Sequence, residues 1–485
     1  MEKYDVVILG GGNAGMGVTV PTRAAGMSVA MIEARDLGGT CPNRGCTPKK
    51  VLVAAAHALH EIERADRHGI TVDTPRLDWR ALIEREKDMI RDIPCRLSGL
   101  MAKRGVDVIV GEAAFIGSNT ISVDGRELEA RNIVIATGSK PRSLPIPGAE
   151  HLTISDDVLN DPVLPRAVVF VGGGVIAFEL GHVYARASVD VTILEALPHL
   201  LGGFDADAVA QIRGESERIG IHVRTLAWVN RIDKVDGRLR VTFVADGIEC
   251  AVEADRVVNC AGRVANVERL DLGAGVIAHR EGRIEIDDHL RSRSNPDVYV
   301  CGDALWNSPQ LSPIATYEGG IVGRNIVDGP RHRPDYGHIP ASVYTVPALA
   351  SVGLTEAKAK EQGLGVKVHV NDMKDWLSAR TYAETVAWSK VIVEETTDRI
   401  VGAHMVGHAG EELIHLFALA MKHRITAPLL SDMVFGFPTF ASDVRNMMQR
   451  IERRQRTEYE PHLCFDARKI SNPCKKNMTT AEELR

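Results

Sequence analysis

The chain carries no surplus of basic charge: 58 Lys and Arg face 64 Asp and Glu, a formal net charge of -6. A surface that grips nucleic-acid phosphates needs clustered excess Lys and Arg, so general nucleic-acid binding is not expected. The local run Arg453-Arg454-Gln455-Arg456 reads as a solvated helix face. Long apolar runs are missing as well. None reaches the roughly 18 residues that span a bilayer. The opening "MEKYDVVILGGG" shows no basic leader and no small-residue cleavage site, so a cytoplasmic protein with no membrane role is expected. Cysteine is scarce too, with eight in 485 residues. That excludes a disulfide-stapled scaffold, and a reducing compartment keeps incidental cysteines as thiols. Cysteine pairs with special spacing therefore matter more than their number. What the chain does have is a 45% apolar composition, over a length that suggests about three domains.

Two stretches repeat one pattern. "YDVVIL", Tyr4 to Leu9, reads as a buried strand and runs into "GGGNAG", in which Gly10, Gly12 and Gly15 fit G-x-G-x-x-G. The first glycine permits a tight turn, the second lets backbone approach a pyrophosphate, and the third lets helix and strand pack closely. The pyrophosphate then meets unpaired N–H groups at a helix N-terminus. "AVVFVGGGVIAFE" places Gly172, Gly174 and Ala177 in the same three positions. In both copies an acid ends the following strand at the same offset of 23 residues, Glu33 after Gly10 and Glu195 after Gly172. A carboxylate there accepts hydrogen bonds from a ribose diol. Two dinucleotide sites are expected. Glu195 repels a ribose 2'-phosphate, and Ala196 to Ile212 contains no Arg or Lys, so the second site is expected to prefer NADH over NADPH.

"GGTCPNRGCTPKK", Gly38 to Lys50, sets Cys41 and Cys46 five positions apart. Zinc sites usually pair cysteines two to four residues apart and repeat the pair, and no second pair follows, so no metal is expected. A permanent bridge around so small a loop contributes little and is unusual in a reducing compartment. A reversible dithiol is the favoured reading. Thr47 and Pro48 read as the start of a helix that continues through "KKVLVAAAHALHEI". At such a start the helix dipole favours a thiolate, and Arg44 is expected to add to that effect on Cys41.

With these segments in view, the chain resembles the pyridine nucleotide-disulfide oxidoreductases, which include glutathione reductase, dihydrolipoamide dehydrogenase and mercuric reductase. The likeness runs from about Tyr4 to Arg450 and adds "NIVIATGSKPR", "CAGRVAN", "VYVCGDA" and "SVGLTE" in family order. It implies an α/β fold, with two Rossmann-like FAD- and NAD(P)-binding domains and a C-terminal α+β dimerisation domain. FAD is implied at the first cradle and NAD(P)H at the second. The implied domains are an FAD-binding part over 1–150, an NAD(P)-binding part over 151–270 and a return to the FAD part over 271–334. An interface domain over 335–460 and a tail over 461–485 follow. Asp303 matches a residue beside the ribityl and pyrophosphate region, and Thr40, Thr137, Gly138 and Gly262 fall among the cofactor contacts. Lys50 and Glu179 are assigned to an ion pair near flavin and nicotinamide. Cys46 is implied as the flavin-proximal thiol and Cys41 as the thiol that attacks substrate. A homodimer with its active site at the subunit interface, acting on a small disulfide or other thiol-reactive molecule, completes the implication.

One motif departs. Many relatives carry "HPT" followed by an acid near the C-terminus, the His serving the interchange thiol of the other subunit. Here the stretch is "FGFPTFASD": Phe437 takes the His position and Ser442 the Glu position, with Asp443 one residue later. Phenylalanine moves no protons. Mercuric reductase also lacks the His, and 2-ketopropyl-coenzyme M oxidoreductase/carboxylase has the Phe, so metal-ion reduction and thiolate-driven C–S cleavage stand as alternatives to disulfide reduction. His404, His408 and His415 lie nearby and are expected at a surface or interface. Cys464 and Cys474 in the tail are read as incidental thiols.

Overall fold

A computed structural model describes residues 1–449, and Met1–Met448 form one compact unit. Arg453, Cys464 and Cys474 lie outside the described residues. The first sheet has seven strands. Its parallel part runs Val106–Val110, Val29–Glu33, Glu2–Leu9 and Arg126–Ile135, with Val298–Val300 completing the edge. Two antiparallel strands, Thr120–Val123 and Ala113–Gly117, continue from the same side of Arg126–Ile135, along its first residues. Val6, Val7 and Ile8 are fully buried, as a parallel strand covered on both faces must be. The second sheet is four parallel strands in the order Ile221–Arg224, Asp190–Leu194, Ala167–Val171, Arg256–Asn259. A three-stranded antiparallel sheet spans Ala227 to Ala254, and a five-stranded antiparallel sheet is built from Ala341–Val343 to Ile400–Gly407.

Strand, glycine turn and helix follow each other as the sequence predicts. Gly10 has φ +115° and Gly172 has φ +112°, and a Cβ on either would lie 2.3 Å from a carbonyl oxygen, of Ala136 and of Cys260 respectively. A Cβ on Gly15 would meet the oxygen of Gly10 at 2.1 Å. The second copy accepts Ala177 in that place, fully buried.

The helix Cys46–Glu63 lies between the layers. Its Val51, Leu52 and Ala56 belong to one buried cluster with Phe178 and Val183 of the second glycine-turn helix, and with Val343, Leu349 and Val406 of the five-stranded sheet. Three parts of the chain thus fix one helix, and with it the cysteine at its first position.

A buried cation joins the second nucleotide unit to the five-stranded sheet. Lys390, on the strand Ala387–Glu394, places its Nζ 2.9 Å from Asp205, 2.6 Å from Asp207 and 3.0 Å from Glu356. Burial works against its charge, but hydrogen bonds to the three acids prevail and raise its pKa. Lys390→Met is expected to cost about 3 kcal/mol, the lower end for breaking a buried pair. Glu356 keeps Lys360 and Asp207 is open to water, so only Asp205 loses its charge partner in the interior. Urea unfolding measures this, and an unchanged midpoint would show that the network carries no stability.

Candidate active site

The dithiol segment is tied to the first glycine turn. Gly38 donates its N–H to the carbonyl of Gly11 at 2.8 Å, and a Cβ on Gly39 would lie 2.9 Å from the Cα of Gly12. Cys41 lies in the short helix Thr40–Arg44 and Cys46 opens the helix Cys46–Glu63. Both are reduced. The Cys46 thiol donates toward Cys41, which lowers Cys41 to about 6. Burial opposes the shift, and Ser312 and Asn13 add to it. Cys46 is raised by the same bond and by burial. Of the pair, Cys41 therefore carries the charge and Cys46 the shared proton.

Arg44 takes no part in this. Its guanidinium pairs with Asp36 at 2.7 Å and with Asp156 at 3.6 Å, so those acids, and not the thiolate, hold it. Ser312 and Asn13, themselves in contact, fill the role expected of Arg44. Asn13 stands in the glycine motif. Ser312 begins the helix Ser312–Asp328 with a proline next to it, a start signal that could have drawn attention to it.

The expected Lys50–Glu179 pair is corrected. Lys49 makes it, Nζ to Oε2 at 2.7 Å, with Glu179 buried. Helix phase is the reason. Lys49 reaches the carboxylate of Glu179 on the second glycine-turn helix, while Lys50, one residue or about 100° further round, forms no ion pair with it. Both ammonium groups lie over the ring of Tyr344, Lys50 at 3.6 Å and Lys49 at 4.7 Å from its centre. Tyr344 was not picked out from sequence, which gives no signal for it. Its N–H donates to Glu179 at 2.8 Å.

The two cradles match in detail. Glu33 accepts from the N–H of Gly11 at 2.8 Å and of Arg35 at 2.9 Å. Glu195 accepts from the N–H of Gly173 at 2.6 Å and of Leu197 at 2.8 Å. Gly12 and Gly174 cap their helices with no side chain, no acid sits in either first turn, and a Cβ on Gly174 would meet open space. Thr40 is exposed beside the first cradle. Gly138 at φ +70° and Gly262 at φ +100° flank open space. Thr137 has a buried hydroxyl without a partner among the described residues. Asp303 accepts from Ser139 at 3.0 Å, and burial raises its pKa. Behind it the buried Glu318 accepts from Gly302 N–H at 2.7 Å and from the Tyr336 hydroxyl at 2.6 Å.

Phe437 is 76% exposed in the single chain. Ser442 is turned inward to cap the turn Phe440–Asp443, exchanging hydrogen bonds with Thr439. His404 and His408 are not at a surface: both are fully buried. His404 contacts Ser351 at 2.6 Å and the Leu354 carbonyl at 3.1 Å. His408 lies between Glu384 at 3.3 Å and Asp443 at 2.9 Å. Their acceptors sit on other strands and turns, which drew both rings into the interior. His415 is exposed.

Residues 4–319 match the family described as pyridine nucleotide-disulphide oxidoreductase, and residues 339–448 match its dimerisation domain. The chain belongs to this family. It is 32% identical to a dihydrolipoyl dehydrogenase of Chlamydia muridarum, over 91% of this chain and 95% of the relative. It is 30% identical to a mercuric reductase of Staphylococcus aureus, over 91% and 81% of the two chains. A dihydrolipoyl dehydrogenase of the same organism is also 30% identical, over 90% and 94%. As a member of this oxidoreductase family the protein is an FAD- and NAD(P)-dependent enzyme acting on sulfur groups. Its dimerisation domain supports a homodimer. No helix among the described residues is long and apolar enough to cross a membrane.

The residues present fit these cofactors. The bare helix N-termini suit pyrophosphates, Glu33 and Glu195 suit ribose diols, and the orphaned Thr137 hydroxyl suits a polar group supplied by FAD.

Proposed function

We propose that the enzyme takes electrons from NADH to the Cys41–Cys46 disulfide and passes them to a small disulfide or another thiol-reactive acceptor. The observation that carries this reading is the placement of two hydrogen-bonded thiols at the start of the helix Cys46–Glu63, packed against the first glycine turn, with Cys41 lowered and Cys46 raised by their shared hydrogen bond. That arrangement readies one sulfur for attack and holds the other for the second step. When bound, FAD supplies the conversion between a hydride and thiolate chemistry. Gly10, Gly12, Gly15, Glu33, Thr40, Thr137, Gly138 and Asp303 would hold it. Gly172, Gly174, Ala177, Glu195 and Gly262 would hold the nicotinamide cofactor, with the Lys49–Glu179 pair between the two sites.

The preference for NADH is supported by the fixed carboxylate of Glu195. Arg224, in register with Leu194 on the neighbouring strand, is the basic residue that a reading confined to Ala196–Ile212 did not include. The division into 1–150, 151–270, 271–334 and an interface domain from 335 is kept as the functional partition, with the Phe437 loop serving the partner subunit. Thiolate cleavage of a thioether is a second reading, favoured by Phe437 at the position of the proton-bearing His.

Anaerobic addition of one equivalent of NADH to the holoenzyme tests the proposal. A long-wavelength absorbance band is expected in the wild type and is expected to be lost in Cys46→Ser. A spectrum of fully reduced flavin in both proteins would remove the dithiol from the electron path. Product analysis with a disulfide and with a ketothioether separates the two readings.

A further inference from the structure

We propose that Lys50 is the proton donor to the departing thiol, doing from within the same subunit what the missing imidazole at position 437 does not. This rests on the disulfide-reducing function proposed above.

Four observations lead to it. Lys50 is four residues beyond Cys46 on the helix Cys46–Glu63, so the two share a face with Cβ atoms about 5–6 Å apart. Both are exposed on that helix, and the Cys46 thiol is in turn hydrogen-bonded to Cys41. Lys49 is spent on Glu179, whereas Lys50 makes no ion pair among the described residues and rests on the face of Tyr344. A ring face steers an ammonium but does not neutralise it. Finally, the groups facing Lys50 leave it ready to release a proton. Burial lowers its pKa and Lys49 adds to this, against Glu411 and Glu412 from the helix Gly410–Lys422 and Glu179 from the helix Val175–Arg186. His57, further along the same helix, also feels Lys50.

The other bases are unsuitable. His57 is eleven residues past Cys46, about 16 Å along the helix axis. His408 is buried with both ring nitrogens engaged. His404 is likewise enclosed.

The steps balance. The Cys41 thiolate attacks one sulfur of R–S–S–R′, forming Cys41–S–S–R, and the electron pair of the broken bond leaves on R′S⁻. Lys50 gives it a proton, and R′SH departs. The neutral amine then takes the proton of Cys46, one helical turn away. The resulting thiolate attacks the mixed disulfide at Cys41, closing the Cys41–Cys46 disulfide and expelling RS⁻. Lys50 protonates that thiolate too and recovers its own proton from water. Two electrons pass from the dithiol to the substrate, and the nicotinamide and flavin restore them.

The test uses the holoenzyme with NADH and two acceptors, dithiodipyridine, whose leaving group needs little protonation, and bis(hydroxyethyl) disulfide, whose leaving thiolate is strongly basic. Lys50→Met and Lys50→Arg are both expected to lose about 100-fold more kcat/KM on the aliphatic than on the aromatic disulfide. In wild type the aliphatic rate is expected to fall as pH rises through the lowered Lys50 pKa, a limb that Lys50→Arg should lack. If Lys50→Arg keeps the aliphatic rate, or if Lys50→Met slows both acceptors alike, the lysine acts by charge or packing and the proposal is overturned. If wild type reduces the aromatic disulfide alone, the proposal fails while the disulfide-reducing function stands. If wild type reduces neither, both fail together.

Discussion

Cys41→Ser is expected to lower reduction of every acceptor by roughly three orders of magnitude or more, the usual cost of deleting a nucleophile, while Cys46→Ser should still form a mixed disulfide but fail to resolve it. The asymmetry follows from the proton between the sulfurs. With its pKa lowered by the Cys46 hydrogen bond, the Cys41 thiol is more ionised at neutral pH than an ordinary cysteine, which is ionised to only a few per cent. Iodoacetamide therefore should label Cys41 of the reduced enzyme along a titration curve centred below that of a free thiol. Cys46, raised by donating to its neighbour and by burial, should react only at much higher pH. Ser312→Ala should move the Cys41 curve upward by removing one donor, and Arg44→Ala should leave it in place because that guanidinium belongs to Asp36 and Asp156. A Cys41 curve centred near that of a free thiol would show that the pair does not share its proton, and the order of attack would have to be reversed.

Much of this was legible in the chain itself. The two glycine turns are local: strand, turn and helix are contiguous, and steric demands such as the 2.3 Å approach of a Cβ at Gly10 leave a mark on the sequence. Glu33 and Glu195 were found because their spacing repeats, and both bond to a glycine N–H of their own turn. The family's further motifs, in order, carried the fold class as a whole.

What was misread depended on phase or on partners distant in sequence. Choosing between Lys49 and Lys50 requires knowing where a helix begins and what it packs against, since one step rotates a side chain by about 100°. Arg44 looked available to the thiolate because Asp156 lies more than a hundred residues away, on the short helix Ser155–Asn160. His404 and His408 looked like surface residues because an isolated His has no marker of burial, and their hydrogen-bond partners Ser351, Leu354, Glu384 and Asp443 come from separate segments. Ser442, read only as a failed acid, proved to cap the turn that carries it. Each error concerns a side chain whose neighbour is set by tertiary packing.

Removing His408 is expected to be the most damaging single change in the interface domain, with a pH dependence that identifies its cause. The ring is fully buried between Glu384 and Asp443, and Asp443 ends the turn that follows the Phe437 segment. Burial alone would strip the ring of its proton, but hydrogen bonds to Asp443 and Glu384 outweigh it and raise the pKa above 6.5. Below its raised pKa the ring is a cation that neutralises two largely buried carboxylates, and His408→Leu leaves both without it there. The expected cost is about 5 kcal/mol, the upper end for breaking a buried ion pair. The sign of the pH effect follows from linkage. Because the folded pKa is the higher one, the stabilisation is complete below the unfolded value of 6.5 and is lost as pH rises through the folded value. Thermal unfolding of wild type and His408→Leu should differ most at mildly acid pH and converge toward alkaline pH. A gap that stays constant across that range would mean that the ring acts through packing against Phe440 and Trp376, and not through its charge.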